Sequence, residues 1–261
     1  MGARPPVRGY KAIMFKWLFG DRRPAKRGPE GRRVYAIGDI HGRVDLLQAL
    51  QRQIAADAAS APGDRLIVYL GDYVDRGMNS REVIDLLLAG PPPGFEAVHL
   101  MGNHEDMLLD FTETTEGGVN WLHNGGNTTL HSYGVGLPPG VRKDADLVPA
   151  QMRFLEQLPP EHLAFYRGLR LKHVEGDYLF VHAGIRPGVP LDKQDPEDLL
   201  WIRSSFLNSS ADHGYCVVHG HSITDEIDDR ENRIGIDTGA YATGQLTALG
   251  IDGENSWFLQ T

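Results

Sequence analysis

Five short stretches concentrate the side chains able to bind metal or move protons. They are Gly38-Asp39-Ile40-His41-Gly42, Gly71-Asp72-Tyr73-Val74-Asp75-Arg76-Gly77, Gly102-Asn103-His104-Glu105, Val181-His182-Ala183-Gly184 and His219-Gly220-His221-Ser222. Carboxylate and amide oxygens combined with imidazoles, without a thiolate, suit borderline divalent ions such as manganese, iron, zinc or nickel. Two such ions held about 4 Å apart need one carboxylate that bridges them. With two carboxylates the pair stays positive, so it attracts a phosphate dianion and acidifies water. An arginine alongside adds bidentate recognition of phosphoryl oxygens. One Gly-Asp turn, or one histidine at a strand end, is ordinarily nothing more than a turn or a satisfied side chain. Five such clusters in succession are not. His99, His123, His131, His162, His173 and His213 lack this setting and are expected to be surface or core residues. His219 and His221 lie two apart and would share a face on a strand; His221, in the loop beyond Gly220, is the expected ligand.

The elements that must position these clusters are legible in the flanking pattern. Apolar runs at Val34 to Ile37, Leu66 to Leu70, Ala97 to Met101, Tyr178 to Val181, Tyr215 to Val218 and Arg233 to Ile236 predict buried strands. Five of the six end in a polar cluster. Val44, Leu47, Leu50 and Ile54 recur at helical spacing, as do Val83, Ile84, Leu87 and Leu88, with Ser80 as the expected N-cap and Gly90-Pro91 as the stop. Asp195-Pro196 predicts another helix start. Strand–helix alternation over the first hundred residues implies parallel βαβ crossovers, and the closer spacing of later strands implies a second sheet. In open α/β sheets ligands bind beyond the carboxyl ends of the strands, where distant loops meet.

The 261 residues are 41% hydrophobic and 23% charged, an ordinary globular composition, and the single Cys216 excludes an internal disulfide and a cysteine-based zinc site. Charge is divided unevenly. Residues 1–33 carry +8 and the remainder −17, so a basic arm of 1–33 is expected to precede one catalytic domain of 34–261. An acidic body argues against a nucleic-acid partner. No apolar run approaches a spanning helix, and Lys16 interrupts the only signal-like stretch, so a cytoplasmic monomer is expected. Residues 10–33 offer basic and aromatic side chains for weak docking to a membrane surface or a protein, and Met14 is an alternative start.

The first three clusters together resemble the signature of the phosphoprotein phosphatase family of metallophosphoesterases, most closely its bacterial and phage serine/threonine members. The resemblance covers about residues 34 to 250. It implies an α/β calcineurin-like fold, a two-sheet β-sandwich flanked by helices, with a dinuclear metal site at the strand C-terminal ends. By that resemblance Asp39 and His41 bind the first ion, Asp72 bridges, and Asn103, His182 and His221 bind the second. His104 is the general acid, oriented by Asp75. Arg76 holds phosphoryl oxygens, with Arg203 of Leu200-Trp201-Ile202-Arg203 as a second phosphate arginine. Ile236-Asp237-Thr238-Gly239-Ala240 and Leu246-Thr247-Ala248-Leu249 are similar to the closing strands of bacterial members. The cofactors implied are two divalent ions, manganese first, with iron, zinc, nickel or magnesium as alternatives. The activity implied is single-step in-line hydrolysis of a phosphomonoester by a hydroxide shared between the ions.

The expected substrate is a phosphoprotein or phosphopeptide carrying phosphoserine or phosphothreonine, with tyrosine-directed or dual specificity left open. A diadenosine tetraphosphate hydrolase of the same fold is the nearest rival; that branch typically lacks the second aspartate and ends its third motif in aspartate, whereas this chain has Asp75 and Glu105. An inactive phosphoprotein-binding scaffold is the alternative from another class, and every expected ligand type is present against it. The stretch Glu113 to Gly140 is expected to hold substrate-contacting loops, with Trp121, Asn124 and Tyr133 as candidates.

Overall fold

The computed structural model describes residues 26–60, 62–137 and 139–261. Along the chain the strands are β1 (Arg32–Ile37), β2 (Asp64–Tyr69), β3 (Glu96–His99), β4 (Lys172–Glu175), β5 (Tyr178–Val181), β6 (Cys216–His219), β7 (Asp228–Asp229), β8 (Arg233–Gly235), β9 (Thr247–Asp252) and β10 (Asn255–Gln260). The helices are α1 (Val44–Asp57), α2 (Ser80–Leu88), α3 (Asn103–Glu113), α4 (Gly118–Trp121), α5 (Asn127–Ser132), α6 (Val148–Gln157), α7 (Pro160–Arg167), α8 (Pro196–Trp201), α9 (Ser204–Leu207) and α10 (Ala240–Thr243).

Two five-stranded sheets result, in the orders β10-β9-β1-β2-β3 and β4-β5-β6-β8-β7. The expected parallel crossovers are present: β1 pairs with β2 and β2 with β3 in parallel, with α1 and α2 as the connections. In the second sheet β5, β6 and β8 are also parallel neighbours. Alternation along β1 shows how one strand serves two layers. Val34 and Ala36 point into an inter-sheet core with Leu66, Val68, Phe180, Val218 and Ile234. Tyr35 and Ile37 point the other way, onto Leu47, Leu50 and Ile54 of α1 and Val83 and Ile84 of α2. Leu179 and Val181 face Leu199, Ile202 and Phe206 on the far side of the second sheet. The result is a sandwich of two mixed sheets flanked by helices.

Several elements depart from the sequence expectations. β4 is half-exposed and carries Lys172, His173 and Glu175, so no apolar run announces it. Ser80 is not the cap of α2. Asn79 takes that place, and the Ser80 hydroxyl turns inward to accept from the Asp75 amide at 3.1 Å. The stretch Glu113 to Gly140 is mostly helical: α4 runs on through Leu122–Gly126, where the chain kinks at Gly125 (φ 106°), and continues as α5. Residues 1–25 of the expected basic arm, and with them most of the proposed docking segment, lie outside the described residues. Its last part is tied to the body, where the Gly28 amide donates to the Gly253 carbonyl at 2.8 Å and the Asp177 amide to the Arg27 carbonyl at 2.8 Å. Among the described residues no helix is long and apolar enough to cross a membrane.

Candidate active site

The loops after β1, β2, β5 and β6, with the first turn of α3 after β3, converge at one edge of the sandwich. Backbone hydrogen bonds lock the first two together. Ile40 and His41 donate to the Asp72 carbonyl at 3.0 and 2.8 Å, and Gly77 donates to the His41 carbonyl at 3.1 Å. Glu105, fully buried on α3, accepts from the amides of Asp72, Tyr73 and Gly102 at 2.8, 2.7 and 3.0 Å and of Val74 at 3.2 Å. These bonds hold a strained backbone. The described non-glycine residues with positive φ are His41 (47°), Asp72 (51°), Asp75 (70°), Arg76 (66°) and His221 (63°), all of them in these loops. Left-handed conformations cost of order 1–3 kcal/mol each and persist where the surroundings over-determine them. At Gly220 the approach is so close that a Cβ would lie 2.0 Å from Asp39 Oδ1, so only glycine fits between the carboxylate and the histidine loop.

Asp72 lies at the centre. Its Oδ2 is 3.5 Å from His41 Nε2, and its Oδ1 is 3.4 Å from His182 Nε2. One carboxylate thus faces two imidazole groups with separate oxygens, as a bridge requires. Two compact donor groups share it: His41, Asp72 and His104, and Asp72, His182 and His221. Asn103 Oδ1 adds an oxygen to the second group, 2.9 Å from His182 Nε2 and 2.8 Å from His221 Nδ1. Asp39 stands beside these groups, its carboxylate accepting the His221 amide at 3.0 Å. The ring orientations are fixed from behind, by the Val74 carbonyl at His41 Nδ1 (2.8 Å) and the Leu70 carbonyl at His182 Nδ1 (2.9 Å).

These residues fit divalent ions. His41 Nε2 is buried with no hydrogen-bond partner and lies 3.5 Å from Asp72 Oδ2, while His182 Nε2 and His221 Nδ1 converge on the Asn103 oxygen, so ring nitrogens and oxygens crowd around positions that cations would fill. Burial lowers the pKa of His41 to about 3 and of His221 to about 2, so both rings are neutral. Burial alone would raise Asp72, yet the histidines around it, His182 and His104 foremost, bring its carboxyl below the ordinary range. Asp39 is displaced the other way, by burial and by the neighbouring carboxylates of Asp237 and Asp72. An acidic cluster this enclosed calls for cations.

Beside the donor groups lies a proton donor. His104 Nδ1 bonds Asp75 Oδ2 at 2.7 Å, and Arg76 Nη2 lies 3.2 Å from His104 Nε2. Burial works against the imidazolium, but Asp72 and Asp75 outweigh it and raise the His104 pKa. Asp75 is itself saturated: Trp121 Nε1 donates to Oδ2 at 2.8 Å and Thr129 Oγ1 to Oδ1 at 2.6 Å. The Arg76 guanidinium lies over the ring of Tyr241 at 4.8 Å, and that ring stands edge-on to His41 at 5.5 Å. Arg203 is farther out, exposed between α8 and α9, with Nη1 3.2 Å from the His221 carbonyl and 3.3 Å from Ser222 Oγ.

Of the sequence candidates, Asp72, His41, His104, His182, His221 and Asn103 meet directly, with Asp39, Asp75 and Arg76 on that cluster and Arg203 at its rim. His219 is the last residue of β6 and packs on Phe206 at 5.2 Å, while the positive φ of His221 turns it toward the donor groups. Two expected substrate contacts are corrected. Trp121 is buried against Asp75, and Tyr133 is buried in a network with His162 (2.8 Å) and Tyr166 (2.9 Å), so neither can touch a substrate. Missed by sequence reasoning were Thr129, Ser80, Tyr241 and Asp237. Only Asp237, which follows a strand like the other clusters, carried a usable signal.

The chain belongs to the calcineurin-like phosphoesterase family, whose model matches residues 32–244. It is 29% identical over 229 residues to serine/threonine-protein phosphatase 2 of Salmonella typhimurium, covering 84% of this chain and 93% of that one. Serine/threonine-protein phosphatase 1 of the same organism is 31% identical over 228 residues, covering 84% and 92%. A symmetrical bis(5'-nucleosyl)-tetraphosphatase of Dechloromonas aromatica is 33% identical over 154 residues, covering 59% of this chain and 44% of that one. Among solved structures, a putative diadenosine tetraphosphatase superposes with a TM-score of 0.59 at 21% identity, covering 89% of this chain and 95% of that one, a likeness of fold. The chain is therefore a metallophosphoesterase, a family that hydrolyses phosphate esters with two divalent ions.

Proposed function

We propose that this metallophosphoesterase is a protein phosphatase acting on phosphoserine and phosphothreonine. The observation that carries the reading is the buried Asp75–His104 pair, with Asp75 held by Trp121 and Thr129. A serine or threonine alkoxide is a poor leaving group and needs a proton as the P–O bond breaks; the phosphate leaving group of a dinucleoside tetraphosphate needs far less help. A proton donor locked this firmly matches the first chemistry. The names of the two Salmonella typhimurium relatives, similar over most of both chains, support it.

When bound, the two ions supply positive charge for the phosphoryl oxygens and lower the pKa of water. Asp39, His41 and Asp72 would hold one ion, and Asp72, Asn103, His182 and His221 the other. Arg76, on its Tyr241 support, binds phosphoryl oxygens and so frees His104 Nε2, which accepts from the guanidinium in the resting site, to take up a proton from solvent, as its raised pKa favours. His104 then donates its Nε2 proton to the leaving oxygen, while Asp75 stabilises the imidazolium at Nδ1. Arg203 closes the rim over the phosphate.

A panel of phosphoserine, phosphothreonine and phosphotyrosine peptides with diadenosine tetraphosphate tests the reading. The expected result is that kcat/KM for phosphoserine or phosphothreonine peptides exceeds that for the dinucleotide at least ten-fold. Preference for the dinucleotide by the same margin would overturn it.

A further inference from the structure

Asp237 follows β8 at the same edge of the sandwich as the metal-binding loops, and the reading above gives it no role. It is only 2% exposed. Its Oδ1 accepts the Gly239 amide at 3.0 Å, and its main-chain carbonyl accepts the Thr224 amide at 3.1 Å. Its Oδ2 is buried and meets no hydrogen-bond donor. The segments that carry Asp39 and Asp237 are in contact, since a Cβ at Gly38 would lie 2.6 Å from the Ile236 carbonyl, and the two carboxyl groups act on each other electrostatically. Asp39 is also 2% exposed and takes the His221 amide. Two buried carboxyl groups that act on each other repel if both are ionised, and removing them from water adds to the cost. A divalent ion between them relieves both terms and supplies the partner that Oδ2 lacks.

We propose that Asp237 is a further acidic group of the first metal site, holding that ion together with Asp39. The proposal rests on the assignment of Asp39 to the first ion. It changes the charge of the centre: three carboxylates rather than two face the two ions, and the added one sits wholly on the Asp39 side. The two ions are then unequal, with the first more strongly neutralised than the second.

The test uses the whole chain and manganese alone as the probe. Asp237→Asn keeps an oxygen for the Gly239 amide, so the turn is preserved while the charge is removed. Titration with manganese by calorimetry, together with metal content after dialysis, is expected to show one site unchanged and the other weakened roughly ten- to hundred-fold. The electron paramagnetic resonance signal of a coupled manganese pair should give way to that of a single ion. In metal-free buffer Asp237→Asn should melt above the wild type, since a like-charge repulsion is gone, whereas added manganese should raise its melting temperature less. Two sites of unchanged affinity in Asp237→Asn, with a melting temperature at or below that of the wild type, would overturn the proposal. Asp39→Asn is measured in parallel. If it loses an ion and Asp237→Asn does not, the Asp237 proposal alone fails; if both variants keep two ions, the first-site assignment fails with it.

Discussion

At the scale of single residues, the carboxylate of Asp75 shows how function reaches into the interior. It accepts from His104, Trp121 and Thr129, so its two oxygens have fixed directions and His104 has one orientation. Hydrogen bonds to charged groups are worth about 1.5–3 kcal/mol. Trp121→Phe should therefore lower kcat for a phosphoserine peptide roughly ten-fold, with a smaller loss for an aryl phosphate whose leaving group needs little protonation. Bound manganese, measured after dialysis, should be unchanged. Equal losses on both substrates would show that Trp121 serves packing alone. The ligands themselves were legible because each sits in a glycine-flanked cluster behind an apolar run. Trp121 and Thr129 were not, since their partner lies in another loop more than forty residues away and no local pattern records the contact.

At the scale of elements, the parallel neighbours β1 and β2 were legible because the last four residues of each, Val34 to Ile37 and Leu66 to Tyr69, are apolar or aromatic and buried on both faces. The stretch after α3 was misjudged as loop. Its Gly125-Gly126 pair marks a sharp kink, with φ of 106° at Gly125, and helices run on both sides of it. That detour brings the Gly125 carbonyl to the Arg76 amide at 3.3 Å, a tertiary demand invisible in local sequence. The strand β3 carries a further consequence. His99 at its end stacks on Tyr69 at 4.9 Å and meets Phe165 edge-on at 5.1 Å. Burial lowers its pKa to about 4. A depressed folded pKa means that the unfolded chain takes up the proton first as pH falls. Stability is thus complete above the unfolded value of about 6.5 and is lost as pH drops toward 4. The loss from this group is about 3 kcal/mol over the full window. Urea midpoints at pH 7.5 and 5 should differ in the wild type, and the difference should shrink in His99→Leu. An unchanged difference would assign the acid sensitivity elsewhere.

At the scale of the whole molecule, the proposed metal site joins the two sheets. Asp39 and Asp72 follow strands of one sheet, His182 and His221 follow strands of the other, and Asp72 faces ligands from both. Ions held there act as a clamp across the sandwich. At a free concentration of 100 Kd, one site contributes about 2.7 kcal/mol to stability. For a domain of this size that corresponds to roughly 5–10 °C in melting temperature. Thermal melts with manganese and with chelator should differ by at least that amount, and a chelator-insensitive melt would contradict the clamp. The single cysteine gives the same closure a chemical clock. Cys216 opens β6 in the inter-sheet core, and burial pushes its thiol up to about 12. Alkylation requires an accessible thiolate, so at neutral pH the folded chain offers no target. Incorporation of iodoacetamide into Cys216 therefore counts openings of the sandwich, and withdrawal of the ions should quicken it while leaving the chemistry of the thiol unaltered.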